Sequence, residues 1–534
     1  MALTVTGPDG FELQRQWPLT VRPPREVVTE RHTQRLAPGA TATVDAAALV
    51  GFLPTTNQVA VAATQRPPLD VPGLLAKLDR YPYGCTEQTI SRALPLLYID
   101  AGAAAWTQAH DGPDGRRQRI QTAVSQVAAR QHYSGGFGLW RADSPPELWL
   151  SAYALDFLSR AREEDYLLPA QVVERGAIWL QEQLNRADYQ LEALPGRAYA
   201  LYVLARLDRV APGDVRYLFD QYLDELPTAT AVAMVGAAAA RIGDSRRAAA
   251  AFAAAAAFAE RRAELRDYGT GLRDQAALVA LAAEADALAA ELPQRAVDLA
   301  SAFATRDFTS TQEDAWLLLA AHRLTAQGAE ALALAVDGVP VADPGSTYYA
   351  PLDEADLVRG VSLTNRGTTP VWLTVTQSGV PAAPSPPMAD GFVVQRRFYR
   401  RNGEPLQGFD VAQNELLVAV IEGEVTTDLP HQALVVDLLP AGLEVENATL
   451  GQGPGTEGLG WLGSVSPTRH VGLQDDRYVA ALDLHRHQRR FTLAYQVRAV
   501  TPGDFALPAV FVEDMYQPQY RGRGESGRLR IEAP

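Results

Sequence analysis

Cysteine occurs once in the 534 residues, at Cys85, within Tyr83-Gly84-Cys85-Thr86-Glu87-Gln88. A cysteine sulfur and a glutamine carboxamide three residues apart can condense with loss of ammonia. The product is a small strained ring closed by a thioester, a masked acyl donor held among ordinary nucleophiles. A lone cysteine cannot form an intramolecular disulfide, so that reading falls away. The competing reading is a buried structural thiol, the common state of a free cysteine.

A thioester in water hydrolyses, and one facing lysines is consumed, so the pair must be kept dry. Tyr81 and Tyr83 precede it, the loop Gly135-Gly136-Phe137-Gly138-Leu139-Trp140 offers Phe137 and Trp140, and Trp149 and Tyr153 open the next helix. Singly, each aromatic is equally a core residue; as a set they read as a shield. Thr86 and Glu87 read as spacers at a helix start, where free backbone N–H groups can steady an oxyanion. Glu87 as a general base is the alternative to an acid that matches the helix dipole. His132 reads as an exposed helix-end histidine rather than a participant. Lys77 is the only lysine, so self-acylation should be rare. A GC-rich genome accounts for arginine in place of lysine.

Composition excludes several classes. The net charge of −15 leaves no basic field for a nucleic acid. The apolar stretch Ala248–Ala257 is too short to span a bilayer and is flanked by arginines. The N-terminus lacks the pattern of a signal peptide and opens as if mid-domain, so a fragment of a longer chain is expected. No metal-ligand cluster emerges: His485 and His487 lie two apart but among arginines. Gly451-Gln452-Gly453-Pro454-Gly455 precedes no helix and reads as a loop, not a phosphate cradle.

The elements that must position the pair follow from changes in composition. Residues 1–65 carry short strand patterns, as at Phe11-Glu12-Leu13, Leu19-Thr20-Val21 and Val59–Ala62. From Val71 to Leu324 the chain is alanine-rich with apolar residues at three- and four-residue steps, as in Trp149, Tyr153 and Phe157. Breaks are expected at Asp111-Gly112-Pro113, Ser144-Pro145-Pro146, Leu194-Pro195-Gly196, Ala211-Pro212-Gly213 and Gly243-Asp244. About eleven or twelve helices result, and paired repetition predicts a ring or solenoid of hairpins. Strands return beyond residue 330, with Pro381–Pro387 as a linker between two β-domains. A helical domain inserted into a β-domain explains the β-fragments on both sides. At this length about three or four domains are expected.

At this point the residues resemble the C-terminal half of the bacterial alpha-2-macroglobulin family. The resemblance runs nearly the full length, through Tyr81–Gln88, Gly135–Trp140, Trp149–Ala154, Gly196–Ala200 and Ser310–Trp316. It continues in Asp437–Gly442 and Val512-Glu513-Asp514-Met515-Tyr516.

The resemblance implies a multidomain α and β fold, an α/α toroid thioester domain inserted in a CUB-like β-domain and followed by a C-terminal macroglobulin-like β-sandwich. On that basis, residues 1–25 end a preceding macroglobulin-like β-domain, and 26–68 and 329–387 are the two parts of the CUB-like domain. Residues 69–328 form the thioester domain and 388–534 the C-terminal sandwich. It implies a broad-spectrum protease inhibitor that traps attacking proteases and acylates their surface lysine amines through a Cys85–Gln88 cross-link, once per molecule and with no cofactor or metal. Met515 and Tyr516 are carried over as a lid. The whole protein is expected to be a periplasmic monomer, lipid-tethered to the inner membrane, with a bait region outside this chain. Complement-type relatives use a histidine to favour hydroxyl targets; Gly196–Tyr202 has none, which favours amines. Two rivals stand: an α/α-toroid enzyme, lacking the paired carboxylates it needs, and a non-covalent scaffold with Cys85 a free thiol.

Overall fold

The computed structural model describes residues 2–16, 27–65, 69–80, 84–99, 114–186, 188–259, 261, 265, 267–326, 331–342, 345–407, 410–447, 459–474 and 476–533. A hairpin of strands Ala2–Thr6 and Glu12–Gln16 comes first, with Leu3, Val5, Phe11 and Leu13 exposed. A β-sandwich of two four-stranded sheets follows. In one, strand Val371–Gly379 lies between Val28–Leu36 and Gln58–Thr64, antiparallel to both. In the other, strand Val361–Asn365 pairs with Thr41–Val44 and Leu334–Val336. Strands on either side of the helical segment thus share both sheets, so the helical domain is an insertion. Alternating residues such as Val59, Val61 and Ala63 turn inward to join Leu334, Leu363 and Leu373 in one core.

Twelve α-helices lie between residues 71 and 326 among the described residues. Six form an inner ring: Thr86–Ala93, Leu148–Glu163, Leu194–Arg206, Ala229–Arg241, Gly271–Glu284 and Thr311–Ala326, each packed on the next and the last on the first. Their sequences explain the placement. Helix Leu148–Glu163 is buried without a break from Trp149 to Ala161, so it has no solvent face. The outer helix Ala170–Leu184 buries only Val172, Val173, Gly176, Ala177, Trp179 and Leu180, one stripe at helical spacing. The inner helices run the same way, so their N-termini converge at one pole.

Two expected breaks fall elsewhere. Leu194-Pro195-Gly196 and Pro212-Gly213 are the first turns of helices Leu194–Arg206 and Pro212–Tyr222. Proline lacks the N–H that a first helical turn leaves unpaired and has the right φ, so it starts these helices instead of separating them. The breaks at Ser144–Pro146 and Gly243-Asp244 are observed. Residues 111–113 and the expected strand at Leu19-Thr20-Val21 lie outside the described residues.

The terminal β-sandwich has a six-stranded sheet, a four-stranded sheet and a three-stranded sheet. Strands His431–Leu438 and Arg477–Leu484 lie side by side in the six-stranded sheet. Their alternation serves two cores. Ala433, Val435, Ala480 and Leu482 face the sandwich interior, while Leu434, Val436, Val479 and Ala481 join the helical core. The sandwich is docked on the toroid by that second face. No described helix is long and apolar enough to cross a membrane.

Candidate functional site

Helix Thr86–Ala93 begins at the pole under the docked sandwich, and Cys85 is its N-cap. An N-cap side chain accepts from the backbone N–H three residues on, and here the sulfur does so: Gln88 N donates to Cys85 Sγ at 3.3 Å. Gln88 answers by accepting at Oε1 from Cys85 N at 3.2 Å. This reciprocal capping box, ordinarily made by a hydroxyl and a carboxylate or amide, directs the thiol and the carboxamide toward each other. Both residues are fully buried. Burial and the neighbouring Glu87 carboxylate push the Cys85 thiol far up.

Thr86, read as a spacer, is an anchor. Its N–H donates to Leu139 O at 2.7 Å and its hydroxyl to Gly138 O at 2.6 Å. The Gly135–Trp140 loop is therefore tied to the helix start. Its glycines are there for sterics: Gly135 has φ of +107°, and a Cβ on Gly138 would meet Ser144 at 2.6 Å. Thr89 Oγ1 donates back to Cys85 O at 2.8 Å.

Glu87 is neither a solvated dipole partner nor a base in contact with solvent. It is fully buried and accepts from Ser91 Oγ, Thr311 Oγ1 and Gln312 Nε2. Burial raises its carboxyl despite these bonds. Ser91 also meets the Tyr153 hydroxyl at 2.9 Å, joining three inner helices in one network.

The roof comes from the terminal sandwich. The Tyr516 hydroxyl lies 4.0 Å from Cys85 Sγ, and Met515 and Tyr516 are buried within the helical core. Asp514 shapes this turn: its Oδ1 accepts from Tyr516 N at 2.8 Å and Gln517 N at 2.9 Å. Its other oxygen lies 2.9 Å from Nδ1 of buried His431, whose Nε2 meets Thr427 Oγ1 at 2.6 Å. A second aromatic supports the roof. The Tyr268 ring meets Tyr516 edge-on, 4.8 Å between centroids, lies 5.3 Å from Trp149 and donates its hydroxyl to Glu147.

The expected shield is thus only partly the one assembled. Tyr516 reaches Cys85, and Met515 beside it is buried in the helical core. Phe137 is fully buried, its N–H bonded to Ser151 Oγ. Trp140 is half-buried and stacks on His470 of the terminal sandwich, 4.4 Å between centroids and 6° between planes, so it ties the two domains together. Tyr81 and Tyr83 lie outside the described residues. His132 bonds Ser134 at 2.8 Å and takes no part. Lys77 is engaged by Thr309 and Asp314. Sequence reasoning missed Tyr268, Glu147, Arg130, His431 and His470. It also gave no role to Asp514, the one of these residues with a local signal, since it stands beside Met515 in the quoted motif. Among the described residues no group of three or more His, Cys, Asp or Glu could hold a metal ion.

Comparison with known proteins gives two family matches. Residues 59–192 match the A-macroglobulin TED domain, and residues 391–519 the bacterial alpha-2-macroglobulin MG10 domain. The alpha-2-macroglobulin of Escherichia coli K12 is 30% identical over 555 aligned positions, covering 100% of this chain and 33% of the relative. That of Xylella fastidiosa (Temecula1) is 30% identical over 97% of this chain and 33% of its own. The chain therefore spans about a third of the length of the curated relatives it matches. Among solved structures, native E. coli alpha-2-macroglobulin from domain MG7 to the C-terminus superposes with a TM-score of 0.85 at 29% identity, over 98% of this chain and 84% of that one. Salmonella alpha-2-macroglobulin reacted with methylamine gives 0.87 at 30% identity, over 100% and 36%.

Proposed function

Because this chain belongs to the bacterial alpha-2-macroglobulins, as a homologue of their C-terminal part, we propose that Cys85 and Gln88 form an internal thioester that acylates an attacking protease once per molecule. The observation that carries the reading is the reciprocal capping box beneath Tyr516: two groups that can condense, aimed at each other and sealed. In condensation Sγ bonds to Gln88 Cδ, the Cδ–Nε2 bond breaks, and ammonia departs with the thiol proton. The carbonyl oxygen keeps its place opposite Cys85 N–H, which then serves as an oxyanion donor when a nucleophile attacks Cδ. The amine nitrogen bonds to Cδ, the C–S bond breaks, and the acyl group is left as a stable amide. No cofactor is needed, since both reacting groups are side chains of the protein.

On the family's pattern the targets are surface lysine amines of proteases, and the intervening β-sandwich is the CUB-like domain. The whole protein is a protease trap of the periplasm, monomeric and lipid-tethered to the inner membrane; fractionation of the source cells tests that setting. Labelled methylamine tests the chemistry. One equivalent should be incorporated and map to Gln88, with none in C85S. Incorporation elsewhere, or in C85S, would refute it.

A further inference from the structure

Breaking a thioester leaves a thiolate, and Cys85 is poorly placed to carry one. Its side chain is buried, and burial and Glu87 both raise its thiol. A departing sulfur is stabilised by a cation, and one is bound to the backbone and side chains flanking it. Arg130 ends helix Gly115–Ala129. Its Nη2 donates to Gly84 O at 2.5 Å and its Nη1 to Thr89 Oγ1 at 3.3 Å. Thr89 Oγ1 in turn donates to Cys85 O at 2.8 Å. The guanidinium is thus pinned to the residues one before and four after the cysteine. Burial lowers its own pKa, while the charge of Cys85 opposes that fall.

We propose that Arg130 is the counter-ion that receives the Cys85 thiolate during acyl transfer and sets how fast an amine discharges the thioester. This rests on the thioester reading above. The amine nitrogen bonds to Gln88 Cδ, the C–S electron pair passes to Sγ, and the surplus amine proton goes to solvent. Sγ is then an anion in the field of a guanidinium held on Gly84 and Thr89. Gln88 N, which donates to Sγ at 3.3 Å, and the Tyr516 hydroxyl also favour the thiolate, but as neutral donors. Among the described residues no group near Cys85 other than Arg130 brings a positive charge. Glu87, on its own helix, is an acid, and Tyr516 and Tyr268 are neutral phenols with no positive charge to offer. His470, across the domain interface, is held toward its neutral form by burial and by Arg141 and Arg130.

The alternative is that Arg130 only caps backbone and hydroxyl groups. Lysine keeps the charge and loses the two-armed fork, whereas glutamine keeps hydrogen bonding and loses the charge. Wild type, R130K and R130Q separate the two. Iodoacetamide reports on Cys85 alone, since the chain has one cysteine. The expected R130Q protein forms the thioester but reacts with methylamine ~10-fold more slowly. Its freed thiol alkylates with a pH profile shifted to alkaline by about one unit, and R130K lies between. An unshifted R130Q profile, or R130K impaired as much as R130Q, would overturn the proposal. A wild-type chain that never loses ammonia would overturn the thioester reading itself. The alkylation profile, which needs only a thiol, would still decide on Arg130.

Discussion

Cys85 and Gln88 place a thiol and a carboxamide in one reciprocal capping box at a helix start. Ordinarily a capping box stabilises a helix by about 1 kcal/mol and nothing more. On the proposed thioester reading its two side chains are a nucleophile and an acyl source, and the same exchange of hydrogen bonds would hold them for reaction. Protection then depends on Tyr516, whose hydroxyl lies 4.0 Å from the sulfur. Tyr516→Gly should shorten the thioester half-life in buffer by roughly tenfold or more, because water gains the site. Tyr516→Phe keeps the ring and should be nearly silent. Time courses of thiol release check both, and equal lifetimes for Gly and wild type would remove Tyr516 as the lid. The pairing of Cys85 with Gln88 was legible in the sequence because it is local, spanning four residues. The fate of Glu87 was not, because Thr311 and Gln312 lie more than 220 positions away.

Elements set these residues with connections that local patterns do not reveal. The turn after strand Val510–Asp514 is held by Asp514 and His431, from strands paired across the six-stranded sheet. Asp514→Ala should leave the sandwich folded and raise thioester hydrolysis roughly threefold to tenfold, by loosening Tyr516 without removing it. A lifetime equal to that of wild type would contradict this. Where the chain enters the toroid, Asp70 is buried against the β-sandwich, with Thr376 Oγ1 donating at 2.6 Å and Gly73 N at 3.2 Å. Burial raises its carboxyl to about 6. A raised acid favours the folded state while protonated, so stability should fall as pH climbs from about 4 to 6, by about 3 kcal/mol. Asp70→Asn keeps an acceptor without charge and tolerates the positive φ of 43°. It should melt above wild type at pH 8 and lose that advantage by about pH 4; a pH-independent difference would refute the assignment. Periodicity made the helices legible, because an outer helix must show one apolar stripe. It misplaced two boundaries, because a proline that starts a helix and one that ends it look alike out of context.

At the scale of the whole molecule, a ring of helices closes at one pole with charge and presents the pole that carries Cys85 to a second domain. At the charged pole Glu284 receives Tyr202, Arg241 and Arg323; burial alone would raise its carboxyl, but Arg160, Arg206 and Arg323 bring it down to about 2. The Cys85 pole is covered by an apolar sheet face, so its docking should resist salt. Ala481 sits on that face, 1% exposed. Ala481→Arg should force the sandwich off, enlarging the radius of gyration and speeding reaction with methylamine without any proteolysis. An expanded molecule that reacts no faster would dissociate docking from protection. The insertion of the toroid was legible from β-fragments on both sides of an alanine-rich segment. The face on which the sandwich docks was not, since a strand buried on both sides, as at Ala433–Val436, shows no alternation to read.

The most direct test of the account is the intact mass of freshly purified chain, before and after methylamine, with a thiol assay alongside. A Cys85–Gln88 thioester gives a mass about 17 Da below that calculated from the sequence, one ammonia lost. It leaves no free thiol until amine is added, then gives one thiol and one methylamine per chain. The full calculated mass with Cys85 titrating from the outset, and no change on adding amine, would contradict it and leave the pair as a helix cap.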